Sequence, residues 1–131
     1  MRNTIVPCPC GGGKSFDQCC ARYLDGDAAP TAEALMRSRY SAYGLRREDY
    51  LLATWHPSTR PAELGLGRET PPKWLGLEVK RHEQTDADHA VVAIVEFVAR
   101  YKINGRAHRL HELSRFVREE GRWFYVDGDV S

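Results

Sequence analysis

The sequence predicts an α+β fold, with a cysteine-rich N-terminal segment and a helical layer that packs on a four-stranded antiparallel sheet. Three features of the chain support this prediction. All of the cysteines lie within residues 8–20, and apolar residues recur at helical spacing over residues 31–43. From Trp74 onward the chain reads as strands separated by short turns, of which Asn104-Gly105 is the strongest hairpin signal.

The first segment is defined by its cysteines, Cys8, Cys10, Cys19 and Cys20. Four thiolates within one short loop can meet at a tetrahedral zinc ion, and glycines at positions 11–13 allow the sharp turn that this needs. Two other interpretations stay open: buried thiols without a metal, and two disulfides that join the first pair to the second. The N-terminus has no signal-peptide features, so we expect a reducing cytoplasm and a structural zinc site formed by all four cysteines.

Helices are expected to follow the cysteines. The first is short and leads into a turn over residues 25–30. Thr31 is placed to cap a longer helix that runs to about Tyr43. A further helix is expected over about residues 47–55. It must end near His56, because Pro57 disfavours a helical conformation for the residue before it.

The domain organisation follows from these boundaries: a zinc knuckle over residues 1–26 and an α+β domain over residues 27–131. With 19 basic and 18 acidic residues the chain has a formal net charge of +1, which gives no general attraction to nucleic acid or anionic lipid. No apolar run is long enough to span a membrane, so no membrane partner is expected.

The strands are predicted over residues 74–84, 90–103, 107–119 and 122–127, with a polar turn over residues 85–88. The other turns predict which residues face one another. A two-residue turn at Asn104-Gly105 gives two pairs, Val95 with Ser114 and Phe97 with Glu112. A two-residue turn at Glu120-Gly121 gives two more, Ser114 with Asp127 and Phe116 with Tyr125. All of these side chains would share the face beneath the helices.

Carboxylates seldom lie on a buried face unless they are paired or hydrogen-bonded. One interpretation is structural: Glu112 pairs with an arginine such as Arg39, and Asp127 caps the end of the chain. The other is a cavity with a polar floor, in which Glu112 or Asp127 acts as a general base and His56 or Tyr125 as an acid. The candidate pocket residues are Arg39, Tyr40, Trp55, His56, Glu112, Ser114, Tyr125 and Asp127.

The opposite face of the sheet is expected to be half-exposed and covered by the zinc knuckle or a partner chain. It mixes charged residues (Glu96, Arg100, Arg109, His111, Arg115) with apolar ones (Val92, Ile94, Leu113). Around the long helix, basic residues alternate with tyrosines: Arg37, Arg39, Arg46 and Arg47 beside Tyr40 and Tyr43. Such residues can grip a single nucleic-acid strand, but a solvated helix side is the commoner explanation.

The cysteine segment, Cys8-Pro9-Cys10-Gly11-Gly12-Gly13 through Cys19-Cys20, resembles the SEC-C zinc motif, with Gly12 where that motif usually has serine. Further segments are similar to the bacterial YchJ family: Leu35–Tyr40, Thr54–Pro57, Trp74–Leu77, Ser114–Phe116 and Gly121–Gly128. The resemblance implies a SEC-C zinc module joined to a cone-shaped domain like nuclear transport factor two, in which the sheet is curved. It implies no biochemical activity.

Three functional hypotheses follow. The first is a binding module, in which a closed four-cysteine zinc site is structural and the knuckle presents a surface to a protein partner. The cone-shaped domain would be its scaffold and could hold a small ligand. The second is a small-molecule enzyme of the isomerase, cyclase or dehydratase type that uses the polar cavity. Nucleic-acid binding is a third hypothesis, which the net charge disfavours.

Overall fold

A computed structural model of the protein describes residues 19–65, 73–87 and 90–130. Its helices are α1 (Cys20–Leu24), α2 (Ala32–Gly44) and α3 (Glu48–Ala53), in the predicted order. Thr31 caps α2 as predicted, because its Oγ1 accepts a hydrogen bond from the backbone N–H of Ala34 at 3.0 Å. None of the helices in the described ranges has the length and apolarity needed to cross a membrane.

The sheet is an antiparallel meander in the order β1-β2-β3-β4, with strands Lys73–Ala87, Ala90–Ile103, Arg106–Glu119 and Arg122–Val130. The predicted topology is therefore confirmed. The polar turn predicted over residues 85–88 is wrong, because β1 stays paired with β2 up to the Ala87–Ala90 pair. Pairing across the two strands has overridden the polar composition of this segment.

The hydrophobic core lies between α2 and one face of the sheet, which we name the helix-covered face. Leu35 and Met36 of α2 pack there with Ala93, Val95 and Phe116 of the sheet. Each of these side chains is at most 4% exposed. The other face, named the outer face, is half-exposed as predicted.

The hairpin between β2 and β3 has the predicted register. Asn104 and Gly105 have φ values of 52° and 79°, the left-handed conformation that a tight two-residue turn requires. Ile103 pairs with Arg106, and Phe97 consequently faces Glu112. The local turn chemistry thus places a carboxylate on the helix-covered face.

The hairpin between β3 and β4 departs from its predicted register. Phe116 faces Tyr125 as predicted, but the next pairs are Arg115 with Asp127 and Ser114 with Gly128. The predicted Ser114–Asp127 pair is therefore wrong. A bulge in β4 inserts one residue and reverses the alternation of side chains beyond it. Asp127 consequently lies on the outer face.

Candidate functional site

A cavity of 270 Å³ lies between α2 and the helix-covered face of the sheet. Its walls are mainly aromatic and aliphatic, and its few polar side chains come from α2, β3 and β4. The lining residues are Met36, Arg39, Tyr40, Tyr43, Trp74, Phe97, Ala99, Leu110, Glu112, Ser114, Phe116 and Tyr125.

The carboxylate of Glu112 lies on the floor of this cavity. Its Oε2 accepts a short hydrogen bond from the hydroxyl of Ser114 and a longer one, at 3.4 Å, from the hydroxyl of Tyr125. Gly128 on β4 leaves the space that this carboxylate occupies, since a Cβ atom there would lie only 2.8 Å from Cδ of Glu112. The bulged register of β4, which brings Gly128 opposite Ser114, therefore helps to position Glu112.

Arg39 is the buried cation of the site, with 5% of its surface exposed. Its Nη1 donates hydrogen bonds to the carbonyl oxygen of Leu51 at 2.8 Å and to Oγ1 of Thr54 at 2.6 Å. The guanidinium also lies over the rings of Trp55 and Tyr125, 5.3 Å and 4.6 Å from their centroids. Burial lowers the pKa of Arg39, and nearby tyrosines oppose this shift.

The ion pair expected between Arg39 and Glu112 is not formed, and no carboxylate of the described residues forms a salt bridge with Arg39. Each group has other partners: Nη1 of Arg39 binds Leu51 and Thr54, and Oε2 of Glu112 accepts from Ser114 and Tyr125. The two charges share one cavity without direct contact. Glu112 still acts on Arg39 at longer range, where its charge favours the protonated guanidinium.

Several hydrogen-bond donors line the cavity with the carboxylate. Burial raises the pKa of Tyr43, and burial together with the charge of Glu112 raises the pKa of Tyr125, so both phenols stay protonated. The indole Nε1–H of Trp74 is buried and has no hydrogen-bond partner in the described part of the chain. The cavity thus combines one acceptor carboxylate with several neutral donors.

Two of the predicted pocket residues lie elsewhere. The His56 ring binds Glu119 through Nε2 at 2.8 Å and Ser58 through Nδ1 at 2.7 Å, outside the cavity. Asp127 is exposed on the outer face, where its Oδ1 accepts a hydrogen bond from Arg115 at 2.6 Å. The bulge in β4 accounts for Asp127, and the hydrogen bonds with Glu119 and Ser58 account for His56.

The other predicted pocket residues do come together, since Arg39, Tyr40, Glu112, Ser114 and Tyr125 all line the cavity. Trp55 lies behind them and contacts Tyr125 edge to face at 4.9 Å. Sequence reasoning missed Tyr43 and Trp74 as lining residues. The helical spacing of Tyr40 and Tyr43 contained the signal for Tyr43. No pattern indicated Trp74, because β1 is irregular directly after it.

Only two of the predicted zinc ligands are in the described ranges. The Sγ atoms of Cys19 and Cys20 lie 3.9 Å apart. Two sulfurs bound tetrahedrally to zinc at about 2.3 Å would be separated by about 3.8 Å, so the pair fits adjacent positions around one ion. The separation is also far too long for a disulfide between these neighbours. Cys8 and Cys10 lie outside the described residues.

The arginines near α2 do not form one continuous basic surface. Arg39 is buried, Arg37 binds Glu33 at 3.0 Å, and Arg47 binds Asp49 at 3.0 Å. These contacts are those of a packed helix with a solvated side, the explanation that the sequence favoured over a nucleic-acid site.

The chain is similar in sequence to one protein family and to several individual proteins. A family described as "YchJ, middle NTF2-like domain" matches residues 31–128. A UPF0225 protein of Chromobacterium violaceum is 61% identical over 127 residues, which cover 95% of this chain and 93% of the relative. A UPF0225 protein of Ralstonia nicotianae is 57% identical over 135 residues, with 95% and 91% covered.

Two solved structures have the same fold. The solution structure of a SEC-C motif containing protein from Rhodopseudomonas palustris aligns with a TM-score of 0.75 and 31% identity, covering 95% of this chain and 98% of the other. The crystal structure of a SEC-C motif containing protein from Psychrobacter arcticus aligns with a TM-score of 0.71 and 29% identity, covering 95% and 82%. Because the family match spans most of the chain and close relatives align along nearly its full length, the chain belongs to the YchJ family, with an NTF2-like α+β domain.

Proposed function

We propose that this protein binds a small ring-containing molecule in the cavity between α2 and the sheet. The observation that carries the proposal is the cavity itself, which has a volume of 270 Å³, largely aromatic walls and one carboxylate on its floor. Mostly apolar cavities with a few convergent polar groups are typical small-molecule sites, usually of about 300–1,000 Å³. The ligand would therefore be small.

The polar groups indicate what the ligand would carry. Oε2 of Glu112 already accepts hydrogen bonds from Ser114 and Tyr125, whereas Oε1 accepts none from the described residues. A hydroxyl or amino group of the ligand could donate to Oε1. An anionic ligand is disfavoured, because Glu112 would repel it and Nη1 of Arg39 is already bound to Leu51 and Thr54.

Binding is favoured over catalysis because the acid–base residues expected for an enzyme do not assemble. Of the four candidates, only Glu112 and Tyr125 meet in the cavity. Tyr125 would be a poor general acid near neutral pH, since burial and the charge of Glu112 raise its pKa. Glu112 alone supplies an acceptor and a charge, which is enough for recognition.

We further propose that Cys8, Cys10, Cys19 and Cys20 bind a structural zinc ion. The separation of the Cys19 and Cys20 sulfurs supports this proposal, as do the solved neighbours described as SEC-C motif containing proteins. A site closed by four thiolates leaves no position for a substrate, so the metal would hold the N-terminal segment against α1. Reduced thiolates fit a reducing compartment such as the cytoplasm.

Tryptophan fluorescence can test ligand binding, because Trp74 lines the cavity. Phenol and aniline combine a ring with a donor, so we expect them to change the emission saturably. Benzoate should bind about tenfold more weakly, because its charge meets that of Glu112. Benzoate binding as tight as phenol binding would contradict the assigned chemistry, and the absence of saturable binding by all three would contradict the proposal.

A matched pair of variants tests the location. Ala99 and Ala93 are both buried on the same face of β2, but only Ala99 lines the cavity. Ala99→Leu should fill the cavity and abolish phenol binding while the protein stays folded. Ala93→Leu should instead overpack the core and destabilise it by about 1–3 kcal/mol. Phenol binding that survives Ala99→Leu would place the site elsewhere.

A further inference from the structure

One end of the outer face brings like charges together. Lys73 of β1 faces Lys102 of β2, and Arg100 of β2 faces Arg109 of β3. All four side chains are exposed, and we name them the basic end.

The register places these side chains on the face opposite the cavity. Ala99 and Leu110 line the cavity, and side chains alternate along a strand. Arg100 and Arg109, their neighbours, therefore point to the outer face, as does Lys102 two residues further along β2. The basic end is thus separate from the proposed ligand site.

Little negative charge within the described residues compensates the basic end. Glu78 reaches it, with a carboxylate oxygen 4.0 Å from Nη1 of Arg100. The same carboxylate also pairs with Lys80. The hydrogen bond and charge of Lys80, followed by the charges of Arg100 and Arg109, lower the pKa of Glu78. No carboxylate of the described residues forms a salt bridge with the other members, Lys73, Lys102 and Arg109.

Folding does not explain this arrangement. Like charges directly opposite each other destabilise a sheet, and a chain with a net charge of +1 has enough acidic residues to avoid two such pairs. An anion bound across β1, β2 and β3 would relieve both repulsions at once. We propose that the basic end docks an acidic segment, rich in aspartate and glutamate, of a partner protein.

The rest of the outer face favours an acidic protein segment over nucleic acid. Farther along the outer face there are carboxylates, namely Glu83 of β1, Glu96 of β2, and Asp127 and Asp129 of β4. An extended phosphate backbone would reach these carboxylates and be repelled by them, whereas a short peptide segment can end before them. Bases would also find no aromatic platform there, because Tyr101 stacks on His108 on the helix-covered side. Arginine side chains such as Arg100 and Arg109 can bind carboxylates with two hydrogen bonds each.

Fluorescence anisotropy with a labelled peptide of alternating glutamate and glycine tests the proposal on the full chain. The peptide should bind, binding should weaken as salt is raised, and a glutamine–glycine peptide should not bind. Arg109→Glu should weaken binding about tenfold or more. Arg118→Glu makes the same charge change at an exposed position at the other end of β3 and should leave binding unchanged.

The same variants show which alternative is correct if the proposal fails. Arg109→Glu should also keep or raise the urea midpoint, because it replaces a like-charge pair by an opposite-charge pair. Equal loss of binding in both variants would mean that only net charge matters. Tighter binding of a single-stranded oligonucleotide than of the acidic peptide would favour nucleic acid. Self-association of the wild type that Arg109→Glu abolishes would make a second copy the occupant. Each of these three results would overturn the proposal.

Discussion

Replacing Gly128 by alanine tests the position of the Glu112 carboxylate. The new Cβ atom would lie 2.8 Å from Cδ and 3.1 Å from Cγ of Glu112. Real Cβ atoms essentially never lie within 3.0 Å of another atom, so the contact with Cδ must be relieved, and the tight contact with Cγ involves the stem of the side chain as well. The carboxylate would therefore have to leave its place, and its hydrogen bonds from Ser114 and Tyr125 would be lost.

Two opposing effects set the expected size of the change. Hydrogen bonds to a charged group contribute about 1.5–3 kcal/mol each, but a displaced carboxylate can be hydrated in an open cavity, so the lower end applies. Replacing glycine by alanine at a compatible position gains about 0.4–1 kcal/mol, because the unfolded chain loses freedom. With two such bonds lost, we therefore expect Gly128→Ala to lower the free energy of unfolding by about 2–3 kcal/mol.

A double-mutant cycle measured by urea denaturation isolates the contact. In a Glu112→Ala background the overlapping atoms are gone, so Gly128→Ala should become neutral or slightly stabilising. Gly76→Ala is the matched control, because a Cβ atom at this β1 position meets nothing within 4 Å. An equal cost of Gly128→Ala in both backgrounds would refute the assigned position of Glu112.

Three further predictions concern the buried arginine, the tyrosines and the zinc site. Arg39→Met should lower the free energy of unfolding by about 2 kcal/mol or more, and Arg39→Lys should not restore it, because two hydrogen bonds and two ring contacts depend on the guanidinium. Tyr43, Tyr50 and Tyr125 have pKa values raised mainly by burial, so unfolding should become easier as the pH rises above about 10, where unfolded phenols ionise first. Urea titrations from pH 8 to 11 measure this, and unchanged stability would contradict it. Elemental analysis should find one zinc per wild-type chain and a loss in Cys19→Ser, whose circular dichroism should retain the sheet signal. Metal-free wild type with two disulfides would refute the site.

The residues of the turn between β2 and β3 were enough to predict which residues of these two strands face each other. The Asn104-Gly105 turn was sufficient to place Phe97 opposite Glu112, because a two-residue turn leaves a single register. The cap at Thr31 likewise predicted where α2 begins. Such features are encoded by a few neighbouring residues, and tertiary structure did not override them.

Other parts depend on contacts that no local pattern reveals. No proline marks the bulge in β4 in the sequence. The bulge is stabilised by Arg115 of the neighbouring strand β3, which binds both Asp127 and Asp129. The position of Trp74 depends on a second irregularity, in β1. Alternation counted along a strand fails beyond any such point, which is why the prediction for Asp127 failed while that for Glu112 was confirmed.

The irregularity in β4 explains why the cavity contains one carboxylate rather than two. With regular alternation Asp127 would face Ser114, beside Glu112, and two carboxylates in a largely apolar cavity would repel each other. The bulge turns Asp127 to the outer face, where Arg115 binds it at 2.6 Å. It also brings Gly128 opposite Ser114, where the missing side chain leaves room for Glu112. A single extra residue in one strand therefore determines both the charge and the shape of the proposed ligand site.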